Sequence, residues 1–102
     1  MTNIVLDGIE IPVDSSGKYF SKPHFIALIN KRRALFGKAL FNITNYLKTK
    51  KVAELEQSLG EPIIKGGEWI HGAAMLEIIR KTDTQLWLDI LQDASAMEVL
   101  NG

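Results

Sequence analysis

Lys65-Gly66-Gly67-Glu68-Trp69-Ile70-His71-Gly72-Ala73-Ala74-Met75-Leu76 contains the change of period that decides the fold. Two β-type runs, Pro62-Ile63-Ile64-Lys65 and Glu68-Trp69-Ile70-His71, flank the glycine pair. Gly-Gly supplies the positive φ angles of a two-residue hairpin turn. After His71 the apolar residues take helical spacing, which predicts a helix over 73–80. The expected unit is a hairpin wing that runs directly into a buried helix, with Trp69 in the core.

Upstream, Asn3 to Val13 reads as another hairpin, turning at Asp7-Gly8 in a type I′ geometry. Ile9, Ile11 and Val13 share one face, and Pro12 confines their strand to an edge because it cannot donate to a ladder. Lys18-Tyr19-Phe20 adds a short strand or docks the chain on the core. Ser21 as N-cap and Pro23 in the first turn start a helix with Phe25, Ile26, Leu28 and Ile29 inward. Its basic end, Lys31-Arg32-Arg33, suits the helix dipole, and Gly37 breaks the run. Ala39 to Leu47 is expected to be helical with Leu40, Ile43 and Leu47 inward. Val52, Leu55 and Leu59 carry a third helix, stopped by Gly60 and Pro62.

Downstream, Thr82 and Gln85 have capping-box spacing. They announce a last helix with Leu86, Trp87, Ile90 and Leu91 buried, continuing toward Met97-Leu100. The chain therefore reads as α+β: one small domain over residues 1–102, a helical core with an N-terminal β-hairpin and a central β-hairpin wing. This order of elements resembles a winged-helix architecture.

With 102 residues and 46% hydrophobic content, one core can form. The chain holds no cysteine, so disulfide and thiol chemistry are excluded, which fits a reducing cytoplasm. No apolar run approaches the roughly 20 residues of a membrane span, and Met1-Thr2-Asn3-Ile4 lacks the basic region of a secretory signal. The net charge of zero hides a division. Residues 1–51 hold nine of the twelve Lys/Arg and three of the twelve Asp/Glu, and residues 52–102 hold the reverse. A basic half of this kind suits a polyanionic partner.

Enzymatic readings find little. His24 and His71 are the two histidines, and neither has metal-ligand or general-base company in sequence. Each is better read as bonding the backbone at a helix start. Gly66-Gly67 belongs to neither a Walker nor a Rossmann loop, and no serine sits in a nucleophile elbow. Glu54-Glu56 and Asp89-Asp93 are carboxylates on polar helical faces. No cofactor is expected.

Nucleic-acid binding has more behind it. Lys31-Arg32-Arg33, Lys38 and Lys48-Lys50-Lys51 bracket Phe41-Asn42-Ile43-Thr44-Asn45-Tyr46. Lysine and arginine neutralise phosphates, and asparagine reads base edges. The expected phosphate contacts are Lys31, Arg32, Arg33, Lys38, Lys48, Lys50 and Lys51, with Asn42 and Asn45 toward bases. Asn42 or Thr44 can equally be a helix cap. Phe41 and Tyr46 read as core, and Lys65 as a phosphate contact from the wing, weakened by the neighbouring Glu68.

Gly66, Gly67, Trp69, Ile70 and His71, followed by Ala73-Ala74-Met75-Leu76 and later Leu86-Trp87-Leu88, resemble the KilA-N domain of bacteriophages and large DNA viruses. The likeness spans roughly residues 17–92. Glu68 stands where that family usually has Thr, Gly72 where it often has Pro, and Arg80-Lys81 near its usual Ala-Trp. The resemblance implies DNA binding by a phage protein; together with the residue readings above, the expectation is a small regulatory protein that binds double-stranded DNA in the host cytoplasm, without enzymatic activity or membrane association. A homodimer remains open. The alternative is a stand-alone phage inhibitor that turns the same fold against a host protein. It would use Glu54, Glu56, Glu61, Glu68, Asp83, Asp89 and Asp93.

Overall fold

Two hairpins bracket a set of helices in the computed structural model, which describes residues 3–93. Strands β1 (Asn3–Leu6) and β2 (Ile9–Pro12) pair antiparallel, with Leu6 opposite Ile9. Asp7 and Gly8 both take positive φ, as a type I′ turn requires. Pro12 lies opposite Asn3 on a strand whose pairing is with β1, and a single bridge, Val13 to Phe20, links this hairpin to the second sheet.

That sheet has the order β3-β5-β4, built from β3 (Tyr19–Ser21), β4 (Ile64–Lys65) and β5 (Trp69–His71). Both neighbours run antiparallel to β5. Lys65 faces Trp69 in the register, so the loop is Gly66-Gly67-Glu68, three residues rather than the expected two. The glycines do take positive φ, 60° and 76°. The loop is not a free wing: the Lys22 amide donates to the Glu68 carbonyl at 2.9 Å, fastening the tip to the start of α1.

Five helices follow from local signals: α1 (Lys22–Leu35), α2 (Ile43–Leu47), α3 (Lys50–Leu59), α4 (Gly72–Thr82) and α5 (Thr84–Gln92). Ser21 precedes α1, and Pro23 sits in its first turn. Gly60, at φ 70°, ends α3 in the left-handed conformation that favours glycine. The predicted helix from Ala39 is shorter than expected. Asn42 caps α2 by accepting from the Asn45 amide, so the helix begins at Ile43 and Leu40 is exposed, not inward. The start of α5 also differs. Thr82 stays in α4 with its hydroxyl donating to the Ile78 carbonyl, and Asp83 is the cap, accepting from the Leu86 amide. The expected extension to Met97-Leu100 lies outside the described residues.

One buried cluster joins both hairpins to α1, α3, α4 and α5. Phe20, Phe25, Leu28, Ile63, Ile70, Met75, Ile78 and Leu86 are among its fully enclosed members. Trp69, expected in this core, is half-buried, and Leu91 is exposed. Trp87, Phe41 and Tyr46 are also half-buried and pack against the cluster. Gly72 must be small: a Cβ there would lie 2.8 Å from the Phe20 ring. Its amide donates to the Lys18 carbonyl, which a proline could not do.

Helices α1 and α4 both start beside the three-stranded sheet. Ser21 pairs with Trp69, and α4 continues directly from His71. Both finish near Asp83, which follows α4 and is gripped by Arg32 of α1. The molecule thus has a sheet end and, about 15 Å away at 1.5 Å per helical residue, a helix-terminus end.

Candidate nucleic-acid interface

The last turns of α1 divide their three cations by helical phase. Phe25, Leu28, Ile29 and Arg32 form the buried stripe, at spacings of three, one and three. Arg32 is 7% exposed. Its Nε and Nη2 grip the two Asp83 carboxylate oxygens, Nη2 at 3.1 Å, and Nη1 lies 3.2 Å from Asp7. Arg32 was expected to contact phosphate. It instead ties the β1–β2 turn and the cap of α5 to the core. Burial works against the Asp83 charge, but hydrogen bonds from Arg32 and the Leu86 amide prevail and lower its pKa.

Lys31 and Arg33 point away from that stripe. Lys31 is exposed, 4.0 Å from Asp7. Arg33 Nε donates to the Ala39 carbonyl and so shapes the α1–α2 loop. Lys38 closes the same loop through its amide to the Arg33 carbonyl, and its charge acts on Asp83. The Phe41 amide donates to the Asn30 side chain at 2.8 Å, completing the anchorage.

The second group lies where α2 passes into α3. Thr49 precedes α3, but its hydroxyl donates backwards to the Tyr46 carbonyl, so no side chain caps the helix. Its first turn holds no acid and begins with Lys50 and Lys51; Lys48 sits just before it. Cations at a helix N-terminus oppose the dipole by roughly 0.3–1 kcal/mol each at exposed positions. Thr44, Asn45, Lys48, Lys50 and Lys51 are all exposed. Among the described residues, Arg33, Lys38, Lys48 and Lys50 form no salt bridge, and Lys51 only approaches Glu77 at 4.0 Å. From residue 15 to residue 53 the chain has no carboxylate side chain.

The expected base readers separate. Asn45 is exposed, whereas Asn42 spends its oxygen on the α2 cap. Beside this surface lies a groove of about 290 Å³ lined by Lys51, Leu55, Ala73, Leu76, Glu77, Arg80 and Trp87. Tyr46 donates to the buried Glu77 there at 3.1 Å. Burial, then the charge and hydrogen bond of Glu77, push the Tyr46 hydroxyl pKa up. Arg80 is a cation that sequence reasoning left out of the site. Its place in the last turn of α4, one residue past the buried Ile79, was the available signal.

Lys65 stands apart from this group. It pairs with Asp14 and lies 4.4 Å from the Tyr19 ring centroid, at the sheet end of the molecule. The structure therefore brings Lys31, Arg33, Lys38, Lys48, Lys50 and Lys51 toward the helix-terminus half but leaves Lys65 at the other end. His71, also at the sheet end, caps α4: its Nδ1 accepts from the Ala73 amide, and its Nε2 lies 3.2 Å from Glu61. His24 Nδ1 bonds the Ser21 hydroxyl. Among the described residues, no group of three His, Cys, Asp or Glu side chains could hold a metal ion, and no helix is long and apolar enough to cross a membrane. No family model, curated protein or solved structure matches the chain.

Proposed function

We propose that this chain is a non-enzymatic protein that binds duplex DNA, with its phosphates on Lys31, Arg33, Lys38, Lys48, Lys50 and Lys51. The observation that carries the reading is the positive pole at the start of α3: an uncapped N-terminus, no acid in the first turn, and Lys48, Lys50 and Lys51 around it. Such an arrangement costs stability unless an anion arrives, and phosphate is the anion that helix N-termini and lysines bind together. Asn45 and Thr44, exposed beside these lysines, are the groups available to base edges. Arg32 and Lys65 take no part. The KilA-N resemblance of the hairpin-to-α4 segment agrees with a DNA-binding role in a phage setting.

The inhibitor reading draws less support. Of its acidic residues, Glu56 accepts from the Ile63 amide, Glu61 pairs with Lys18 and Asp83 is held by Arg32. Anisotropy with a labelled duplex over a salt series tests the DNA reading. Six phosphate contacts give a slope of log affinity against log salt near about −5, at roughly −0.9 each. Changing Lys48, Lys50 and Lys51 to Ala makes that slope shallower by about one per lysine, while Lys65→Ala leaves it unchanged. Absence of binding at low salt would refute the proposal.

A further inference from the structure

The last residue of α1 and the α1–α2 loop expose three large apolar side chains next to Arg33 and Lys38. Leu35 is 70% exposed, Phe36 61% and Leu40 73%. Exposed apolar residues scattered singly need no explanation, but three within residues 35–40 do. The loop is not loosely tethered. Arg33 to Ala39, Lys38 to Arg33 and Phe41 to Asn30 are hydrogen bonds that hold it at both sides. Arg33 and Lys38 lie close along the chain, one in the last turn of α1 and one in the loop.

The charges around the loop select its occupant. A second copy docked symmetrically on this face would set Arg33 and Lys38 against their own counterparts. An anionic partner meets them with opposite charge. The loop is followed directly by Asn42, Thr44, Asn45 and Lys48, all exposed. Those amide and hydroxyl groups suit base edges and phosphates, whereas burial in a lipid layer would leave them unbonded. An apolar side chain presented between cations is the form of a wedge that enters a base step from a groove.

Building on the DNA reading above, we infer that Phe36 and Leu40 form such a wedge, partially unstacking a base step and distorting the duplex where the loop meets it. Side-chain wedges of this type kink DNA by roughly 20–90°. They favour pyrimidine–purine steps, which unstack most easily. The wedge would then supply a preference for deformable steps from a surface with few base-reading groups.

Plasmid relaxation by a topoisomerase in the presence of the full chain tests this, because it averages over every binding register. The wild type shifts the linking number in proportion to bound protein. The variant Phe36→Ser with Leu40→Ser, altered only at exposed positions, keeps the salt slope of binding but shifts no topoisomers. Its affinity stays within about tenfold, since burial of the wedge is offset by the unstacking it causes. Salt-dependent binding by the wild type without a linking-number shift overturns the wedge and leaves the DNA reading standing. No duplex binding by the wild type overturns both. A protein that sediments with phosphatidylcholine–phosphatidylglycerol vesicles and loses this in the double variant, with no topoisomer shift, assigns the loop to a lipid surface instead. Concentration-dependent self-association abolished by the double variant, again with no shift, assigns it to a second copy.

Discussion

Arg32→Met separates a buried structural cation from its exposed neighbour Lys31. Methionine keeps the length of the stem and removes the guanidinium. Asp83 then keeps the Leu86 amide as a hydrogen-bond partner but loses both bonds from Arg32. The two side chains are each 9% exposed, so little water replaces the lost partner. Breaking a buried pair from one side costs about 3–5 kcal/mol, and the nearby Lys38 charge places this case toward the low end, about 3 kcal/mol. Against a domain stability of roughly 5–15 kcal/mol that is a large fraction. With a urea dependence of about 1.5 kcal/mol per molar, the unfolding midpoint falls by about 2 M. Lys31→Met, at an exposed position, loses under about 0.5 kcal/mol. Equilibrium unfolding followed by circular dichroism reads both. The pH dependence has a definite sign. Arg32 lowers the folded-state pKa of Asp83, so this stabilisation is present above the ordinary carboxylate range and fades as pH falls through the folded value. The gap between wild type and Arg32→Met therefore narrows in acid. A loss below about 1 kcal/mol at neutral pH would mean that Arg32 is solvated, and the phosphate role would return to it.

Other expectations follow from single contacts. Gly72→Ala destabilises by about 1–3 kcal/mol despite the better helix former, because its Cβ would press on the enclosed Phe20 ring; a neutral result in urea unfolding would show that the ring yields freely. Burial of Asp14 opposes its charge, but hydrogen bonds from Lys65, Ser16 and the Tyr19 amide outweigh that and lower its pKa to about 2 from 3.8. The stability it contributes is present above pH about 4 and lost as pH falls toward about 2, so urea midpoints of wild type and Asp14→Asn should differ at pH 5 and converge in acid. Trp69→Ala costs about 1–2 kcal/mol, below the 3–5 of an enclosed tryptophan, since Trp69 is half-buried; a larger loss by thermal unfolding would place it in the core after all.

Much of the fold was legible because its turns use residues with few alternatives. Asp7-Gly8 and Gly66-Gly67 announce positive φ, and both hairpins turn there. The change from period two to helical spacing at His71 marks the start of α4 within one residue. Where reading failed, two signals of similar strength competed. Thr82 and Asp83 are both good caps, and the choice fell to Asp83, which Arg32 also holds. Leu40 fits a helical apolar pattern with Ile43 and Leu47, but Asn42 captures the Asn45 amide and starts the helix later, leaving Leu40 in the loop. Arg32 was misread by residue type, although its spacing from Phe25 and Leu28 put it on the buried face. For the site, the cations were legible as a group along the chain. That Arg32 is spent on Asp83, 51 positions away, is a tertiary fact that no local pattern carries. The separation of Lys65 is tertiary too.

The grip of Arg32 also bears on the order in which contacts form. Asp7 precedes it by 25 positions, and Asp83 follows it by 51, so the clamp joins the first hairpin to the last described helix. Closing both loops carries a chain-entropy cost that nearby contacts must already have met. The clamp is therefore expected to form late, after the folding transition state. In stopped-flow kinetics, Arg32→Met should then leave the folding rate nearly unchanged and raise the unfolding rate. On that expectation, this buried arginine governs the lifetime of the native state rather than the speed of reaching it.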